Sequence, residues 1–214
     1  VDTLALRLAA AGGRIDDLPA SQLVAAGFTL LQRSAPLVRM LAGRRSALLL
    51  PPGPAAVVAL AASDGRGAVV LPLGVSPQEL TARCAPGDVG AVFTLASHRN
   101  QVPASLGAVL LDAIPRSAMV CTPEGREQTV DLGSHVGLSV EGETDIPGRD
   151  EECLLLASTP PVVLTHREVL DLDGLEHTVA HVIAQAPTAA PPVASLLSEL
   201  LIPLLAGRTL RVAS

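Results

Sequence analysis

The chain has 214 residues, 49% of them apolar and 17% charged, with 15 basic residues against 21 acidic ones and a formal charge of −6. That balance describes a packed globular protein rather than a disordered one, and it opposes binding to a phosphate backbone. With two Phe and no Trp or Tyr, the core is left to Leu, Val and Ala, and the stacking platform used by readers of single-stranded nucleic acid is missing.

The length suits one large domain, or a main domain with a smaller lobe. Cys84, Cys121 and Cys153 are widely spaced and fit no CxxC or Cys/His zinc pattern. The first residues lack a basic-then-apolar leader, so a reducing cytoplasm is the expected setting. The longest apolar stretches, residues 55–62 and 200–206, are too short and interrupted to span a bilayer.

Residues 2–12 and 21–43 read as helices, the second with Ser21 as N-cap and with Leu23, Phe28, Leu31, Val38 and Leu41 near one face. Arg44 and Arg45 precede the apolar run 47–50, a strand suited to cover on both faces; the two arginines read as capping a helix C-terminus rather than binding phosphate. Pro51 and Pro52 end that strand, Pro54 opens an apolar helix over 55–62, and Asp64-Gly65 breaks it. The unit repeats as a strand at 68–71, a capped helix start at Ser76-Pro77-Gln78-Glu79 and a strand at 89–93. Strand, short helix and strand at this spacing imply parallel pairing.

Strands are then expected at 107–112 and 118–121, a polar turn-rich segment at 122–134, a short strand at 136–140 and an exposed acidic linker at 141–150. Residues 153–157 and 162–164 read as strands, and Thr165 as the N-cap of a helix reaching about residue 184, with Glu168 completing a capping box. A Pro/Ala stretch at 186–192 precedes a helix near 193–205, and Gly207 precedes a strand at 209–212. The expected fold is α/β: three layers, a mainly parallel sheet and helices on both faces. Residues 1–214 would form a single domain with a subdomain boundary near 141–150.

Several residues invite a chemical reading. Ser158-Thr159 follow a strand as a nucleophile would, but no GxSxG elbow surrounds them. His177 and His181 lie four apart and could share a helix face with Asp173, without a complete HExxH signature. Cys153 sits in Leu-rich sequence, which favours a buried and inert thiol. The acidic run 141–152 reads as a solvated linker, with nothing like an EF-hand loop. His166 at a helix start could meet an anion, against a capping or packing role.

In order along the chain, Ala47 to Pro54, Gly67-Ala68-Val69-Val70-Leu71-Pro72-Leu73, Ser76-Pro77-Gln78-Glu79-Leu80, Asp150-Glu151-Glu152-Cys153-Leu154-Leu155, Val162 to Leu170 and Ile202-Pro203-Leu204-Leu205-Ala206-Gly207-Arg208-Thr209 together resemble an incomplete N-terminal domain of the adenylate-forming family: acyl-CoA synthetases, luciferases and peptide-synthetase adenylation domains. The resemblance implies a Ser/Thr/Gly-rich phosphate loop ending in Pro-Lys-Gly after the strand 153–157. Here Ser158 and Thr159 match its beginning and Pro161-Val162 its end, while its glycines and lysine have no counterpart. Pro160 and Pro161 bring no backbone N–H and fixed φ, the reverse of an anion nest. The family's aromatic-His segment would fall near Pro191-Pro192, where neither residue type occurs, and its adenosine, ribose and C-terminal lysine motifs would fall after Ser214.

The resemblance therefore implies a non-catalytic relative without catalytic or metal-binding residues and without a cofactor, acting as a protein-interaction, structural or small-ligand-binding module. Ser158, Thr159, Thr165 and His166 would be the remnant of its phosphate-loop region. Its partners would be a second copy or another protein, and a small carboxylic acid as ligand, with no nucleic acid and no membrane span. The alternative is part of an acid-thiol ligase that uses ATP and magnesium to form an acyl-adenylate, completed by a second chain or a C-terminal half. Arg167 and Arg208 would then be the cations near the relevant motifs.

Overall fold

The computed structural model describes residues 3–64, 66–133, 152–158 and 162–211. The expected strand at 136–140, the acidic linker at 141–150 and residues Thr159, Pro160 and Pro161 lie outside the described residues. The chain begins with α1 (Leu4–Ala10), capped by Thr3, and a tight antiparallel pair β1 (Arg14–Ile15) and β2 (Leu18–Pro19) that the sequence did not announce.

The helix expected over 21–43 is two helices, α2 (Ala20–Arg33) and α3 (Ala35–Met40). Pro36 has no N–H to continue the ladder, and its ring crowds the preceding turn. Ser34 takes over at the break, accepting from Leu37 N at 3.3 Å and donating to Gln128 Oε1 at 3.0 Å. Ser21 is not the N-cap; Pro19 holds that position without a side-chain bond. Val38 faces solvent, and Leu37 and Leu41 point inward in its place.

The main sheet builds by crossover. The apolar runs give β3 (Arg45–Leu49), then α4 (Pro54–Ala62), β4 (Ala68–Val70), α5 (Pro77–Cys84) and β5 (Val89–Leu95). A 3₁₀ turn, Ala96–Gln101, leads to β6 (Gly107–Leu111), followed by β7 (Ser117–Cys121) and β8 (Glu127–Asp131). β8 lies in the segment expected to be only turns. It forms a hairpin with β7 around Gly125 at φ 78°, with Cys121 opposite Glu127, and it escapes sequence patterning because Val130 is its only buried residue. After it come β9 (Glu152–Leu156), β10 (Val162–Thr165) and α6 (His166–Leu170).

The eight strands run in the order β10-β9-β4-β3-β5-β6-β7-β8. The five from β9 to β6 are parallel, while β10 and the β7–β8 hairpin add antiparallel edges. Ala47 pairs with Val69 on one side and Val92 on the other. Alternation along these strands feeds two cores. Leu48, Phe93, Val109 and Leu154 pack with α1, α2 and α4, while Ala47, Leu49, Val92 and Leu155 pack with Leu80 and Cys84 of α5. This is the expected three-layer α/β arrangement. Every residue of α4 is buried, and Gly27 of α2 makes that contact possible, since a Cβ there would meet Val58 O at 2.5 Å.

The helix expected from 165 to 184 is interrupted. The Asp171 carboxylate accepts from Gly174 N at 3.2 Å, closing a turn between α6 and α7 (Leu175–Gln185), because a short acidic side chain competes with the helix for backbone donors. The following helix begins earlier than expected, as α8 (Ala190–Ser195), widens through a π-helical turn at Leu196–Leu201 and ends as α9 (Ile202–Leu205). Pro203 lies at the transition, where it cannot donate to the preceding turn. β11 (Thr209–Leu210) pairs in parallel with β1 in a separate three-stranded sheet.

Arg44 and Arg45 do not cap a helix. Arg44 pairs with Asp88 at 3.1 Å and donates to Val89 O at 2.7 Å. Arg45 grips both oxygens of Glu152 at 2.6 and 2.7 Å, joining the starts of β3 and β9. Gly67 at φ 75° makes room between them, for a Cβ there would lie 2.9 Å from Leu155 Cδ1 and 3.2 Å from Glu152 Oε2. Among the described residues, no helix is long and apolar enough to cross a membrane.

Candidate functional site

The residues expected as the remnant of a phosphate loop fall just after β9 and at the start of α6. Ser158 is half-buried just past the strand, its N–H donating to Leu156 O at 2.8 Å; Thr159 lies outside the described residues. Thr165 and His166 stand together at the start of α6. Thr165 forms the expected capping box. Its Oγ1 accepts from Glu168 N at 3.3 Å, and Glu168 Oε2 accepts from Thr165 N at 2.8 Å. Both side chains thereby serve the helix start.

His166 turns inward and is 1% exposed. Its Nδ1 accepts from Leu4 N at 3.0 Å, and its Nε2 lies 3.9 Å from Asp64 Oδ1. A lone pair on Nδ1 puts the proton of the neutral ring on Nε2, facing the carboxylate. Asp64 is itself pushed up to about 6, chiefly by burial, against the opposing pull of the Thr3 hydroxyl, the Ala5 N–H and the Arg66 charge. The first turn of α1 is thus capped from afar. Leu4 N–H goes to His166 and Leu6 N–H to Thr3 Oγ1 at 3.4 Å, while the Ala5 N–H acts on the Asp64 carboxylate electrostatically. This arrangement satisfies donors that every helix start leaves open.

The expectation of packing for His166 holds. Cys153 is buried as expected, its thiol pushed well up by burial and then by the Asp64 charge. His177 and His181 are exposed, with His181 Nε2 2.6 Å from Gln185 Nε2. No group of three His, Cys, Asp or Glu able to hold a metal ion occurs among the described residues. All 15 basic residues of the chain are arginine, so no lysine stands at any position of these 214 residues. Arg167 and Arg208 are both exposed.

At the opposite end of the sheet, a groove of about 400 Å³ opens between the β5–β6 connection and the β6–β8 strands. Arg99 on the 3₁₀ turn reaches across it to Glu127 of β8. Cys121 forms part of the wall, its thiol raised mainly by burial and so held neutral. The end of β5 and the turn after it carry buried polar atoms, Thr94 Oγ1, His98 Nδ1 and Gln101 Oε1, that find no hydrogen-bond partner among the described residues. No motif marks this region. The one trace in the sequence is a polar run, His98-Arg99-Asn100-Gln101, directly after a buried strand.

No protein-family profile and no curated protein matches the chain. Solved structures do. The chain is similar to the N-terminal subdomain of Klebsiella oxytoca NpsA in complex with anthranilyl-AMSN, at 14% identity over 100% of this chain and 53% of that one, with a TM-score of 0.61. It is similar to the nonribosomal peptide synthetase FmoA3 in its α-methyl-L-serine-AMP-bound form, at 18% identity over 99% of this chain and 24% of that one, with a TM-score of 0.55. Apo MatB from Rhodopseudomonas palustris matches at 18% identity, 99% and 45% coverage, and a TM-score of 0.54. The chain spans about half or less of each, and its fold is that of the N-terminal portion of adenylate-forming enzymes.

Proposed function

We propose that this chain is a non-catalytic module built on the adenylate-forming fold, acting through protein interaction, structural support or small-ligand binding. The observation that carries this reading is the fate of His166 and Thr165. Both sit where a phosphate site would be expected, and both are committed to the fold, one capping α1 from 162 residues away and the other closing the capping box of α6. Two further features support it: a chain without lysine and prolines in place of the loop's glycines. Phosphate transfer chemistry depends on positive charge and backbone donors placed around the phosphates. Calorimetry with ATP and magnesium, alone and with mixed carboxylic acids, tests the proposal. We expect no saturable heat and no pyrophosphate exchange; either signal from the isolated chain would overturn it.

The second reading makes the chain one part of an ATP-dependent acyl-adenylating ligase whose remainder lies on further polypeptide. It is favoured by the match of essentially the whole chain to structures described as bound to anthranilyl-AMSN and α-methyl-L-serine-AMP. Restored pyrophosphate exchange on adding a C-terminal portion of such an enzyme would select it. Under either reading the proposed partner is a second copy or another protein. Leu6 of α1, Leu172 after α6 and Ile183 of α7 stand exposed, apolar side chains that such a contact would cover. A monomer at high concentration in sedimentation, with and without candidate partners, would count against this.

A further inference from the structure

The groove at the β6–β8 end has one cation with donors to spare. A guanidinium carries five N–H groups in a planar fork. Arg99 gives Nη2 to Glu127 Oε1, while its Nη1 lies 3.8 Å from the Met119 thioether, a weak acceptor at best. Among the described residues the Nη1 side of the fork therefore lacks a strong partner. The rest of the lining is mixed: Leu106, Ala108 and the neutral Cys121 give it an apolar part, beside the polar Asn100 and Thr122. The volume, about 400 Å³, falls within the range of small-molecule sites, which combine an apolar body with a few placed polar groups.

We propose that this groove binds a small organic anion, its carboxylate taken by the Nη1 side of Arg99 and its apolar body resting on Leu106, Ala108 and Cys121. An anion fits better than a cation because Glu127 already receives a charge-assisted hydrogen bond from Arg99, whereas the guanidinium can hold a second carboxylate. Glu127 then acts as an internal competitor that sets the affinity. The site is separated from the 158–166 junction by the central strands β4, β3 and β5, and it stands or falls independently of the ATP measurement.

The test uses the full chain and benzoate as probe, read by calorimetry and by amide shifts in NMR. Benzamide is the neutral isostere and inorganic phosphate the anion without an apolar body. Benzoate is expected to bind saturably and to shift amides in 99–106 and 119–127. Benzamide and phosphate should bind about tenfold or more weakly, as loss of a charge-assisted contact predicts. Arg99→Gln should weaken benzoate by a similar factor, and Glu127→Gln should tighten it several-fold by removing the competitor, with unchanged circular dichroism in both. Absence of saturable benzoate binding, equal affinity for benzamide or phosphate, an unaffected Arg99→Gln variant, weaker binding by Glu127→Gln, or shifts centred on 158–170 would each overturn the proposal.

Discussion

The two ends of the eight-stranded sheet use polar residues in opposite ways. At the β9–β10 end, where sequence resemblance points to a ligand, Thr165, Glu168 and Nδ1 of His166 are turned into caps for α6 and α1, and the one buried atom short of a close hydrogen bond there, His166 Nε2, faces Asp64 at 3.9 Å. At the β6–β8 end, where no motif directs attention, Arg99 keeps donors to spare, and three buried polar atoms of β5 and the turn after it lack partners among the described residues. A residue's position in a family pattern is therefore weaker evidence of binding than whether its hydrogen-bonding capacity is already used. A satisfied polar group stabilises a fold; an unsatisfied one is the candidate for recognition.

This contrast can be broken most forcefully at His166. Replacing it by Ala leaves Leu4 N–H unpaired in a buried site and opens a cavity, so we expect a loss of roughly 3–4 kcal/mol in urea unfolding; a loss below about 1 kcal/mol would show that the imidazole is not structural. Asp64→Asn acts in the other direction. The folded-state carboxyl sits near 6 against 3.8, so its contribution to stability is full below about pH 3.8 and is lost as pH rises through 6. Asn keeps an acceptor without the charge, and at pH 7–8 the variant should gain up to roughly 1–3 kcal/mol. The advantage over the parent should vanish by about pH 4, and a difference independent of pH would refute the burial of a charge. Thr165→Ala removes the α6 cap and should cost about 1 kcal/mol without altering any ligand response. Smallest of all is Arg99→Gln, which breaks an exposed pair and should leave the melting midpoint unchanged; a clear drop would mean the cation serves the fold, as His166 does.

Much of the central architecture was legible because its signals are local. The apolar runs at 47–50, 68–71, 89–93 and 107–112 became β3 to β6, the capped start at Ser76 and the capping box at Thr165 formed as written, and Ser76 gained a full capping box with Glu79. Elements that depend on distant partners were not legible. β1 and β2 have two residues each, too few to show a period, and β8 has one buried side chain; the strand expected at 209–212 is present as Thr209–Leu210. The breaks at Ser34 and at 171–174 arise where a proline or a short acidic side chain defeats a periodic pattern that continues through them. At the candidate site, adjacency of Thr165 and His166 was visible, but Asp64 and Leu4 were not, since nothing in local sequence links them to residue 166. Arg45 was read as a helix cap because its true partner, Glu152, lies 107 residues away.

That distance has a kinetic consequence. β3, β4, β5 and β6 succeed one another through short connections, so their pairing closes small loops, whereas β9 must find β4 only after a long stretch of chain has been brought back, and α1 waits for His166 from 162 residues away. Contacts of large sequence separation form late because their closure entropy comes before any reward. Refolding should therefore run in two stages, with the amides of Val92 and Val109 protected in the first and those of Leu154 and Leu4 in the second. The Arg45–Glu152 clasp, seen in the finished molecule as one more ion pair, is then the latch that closes at the boundary between them.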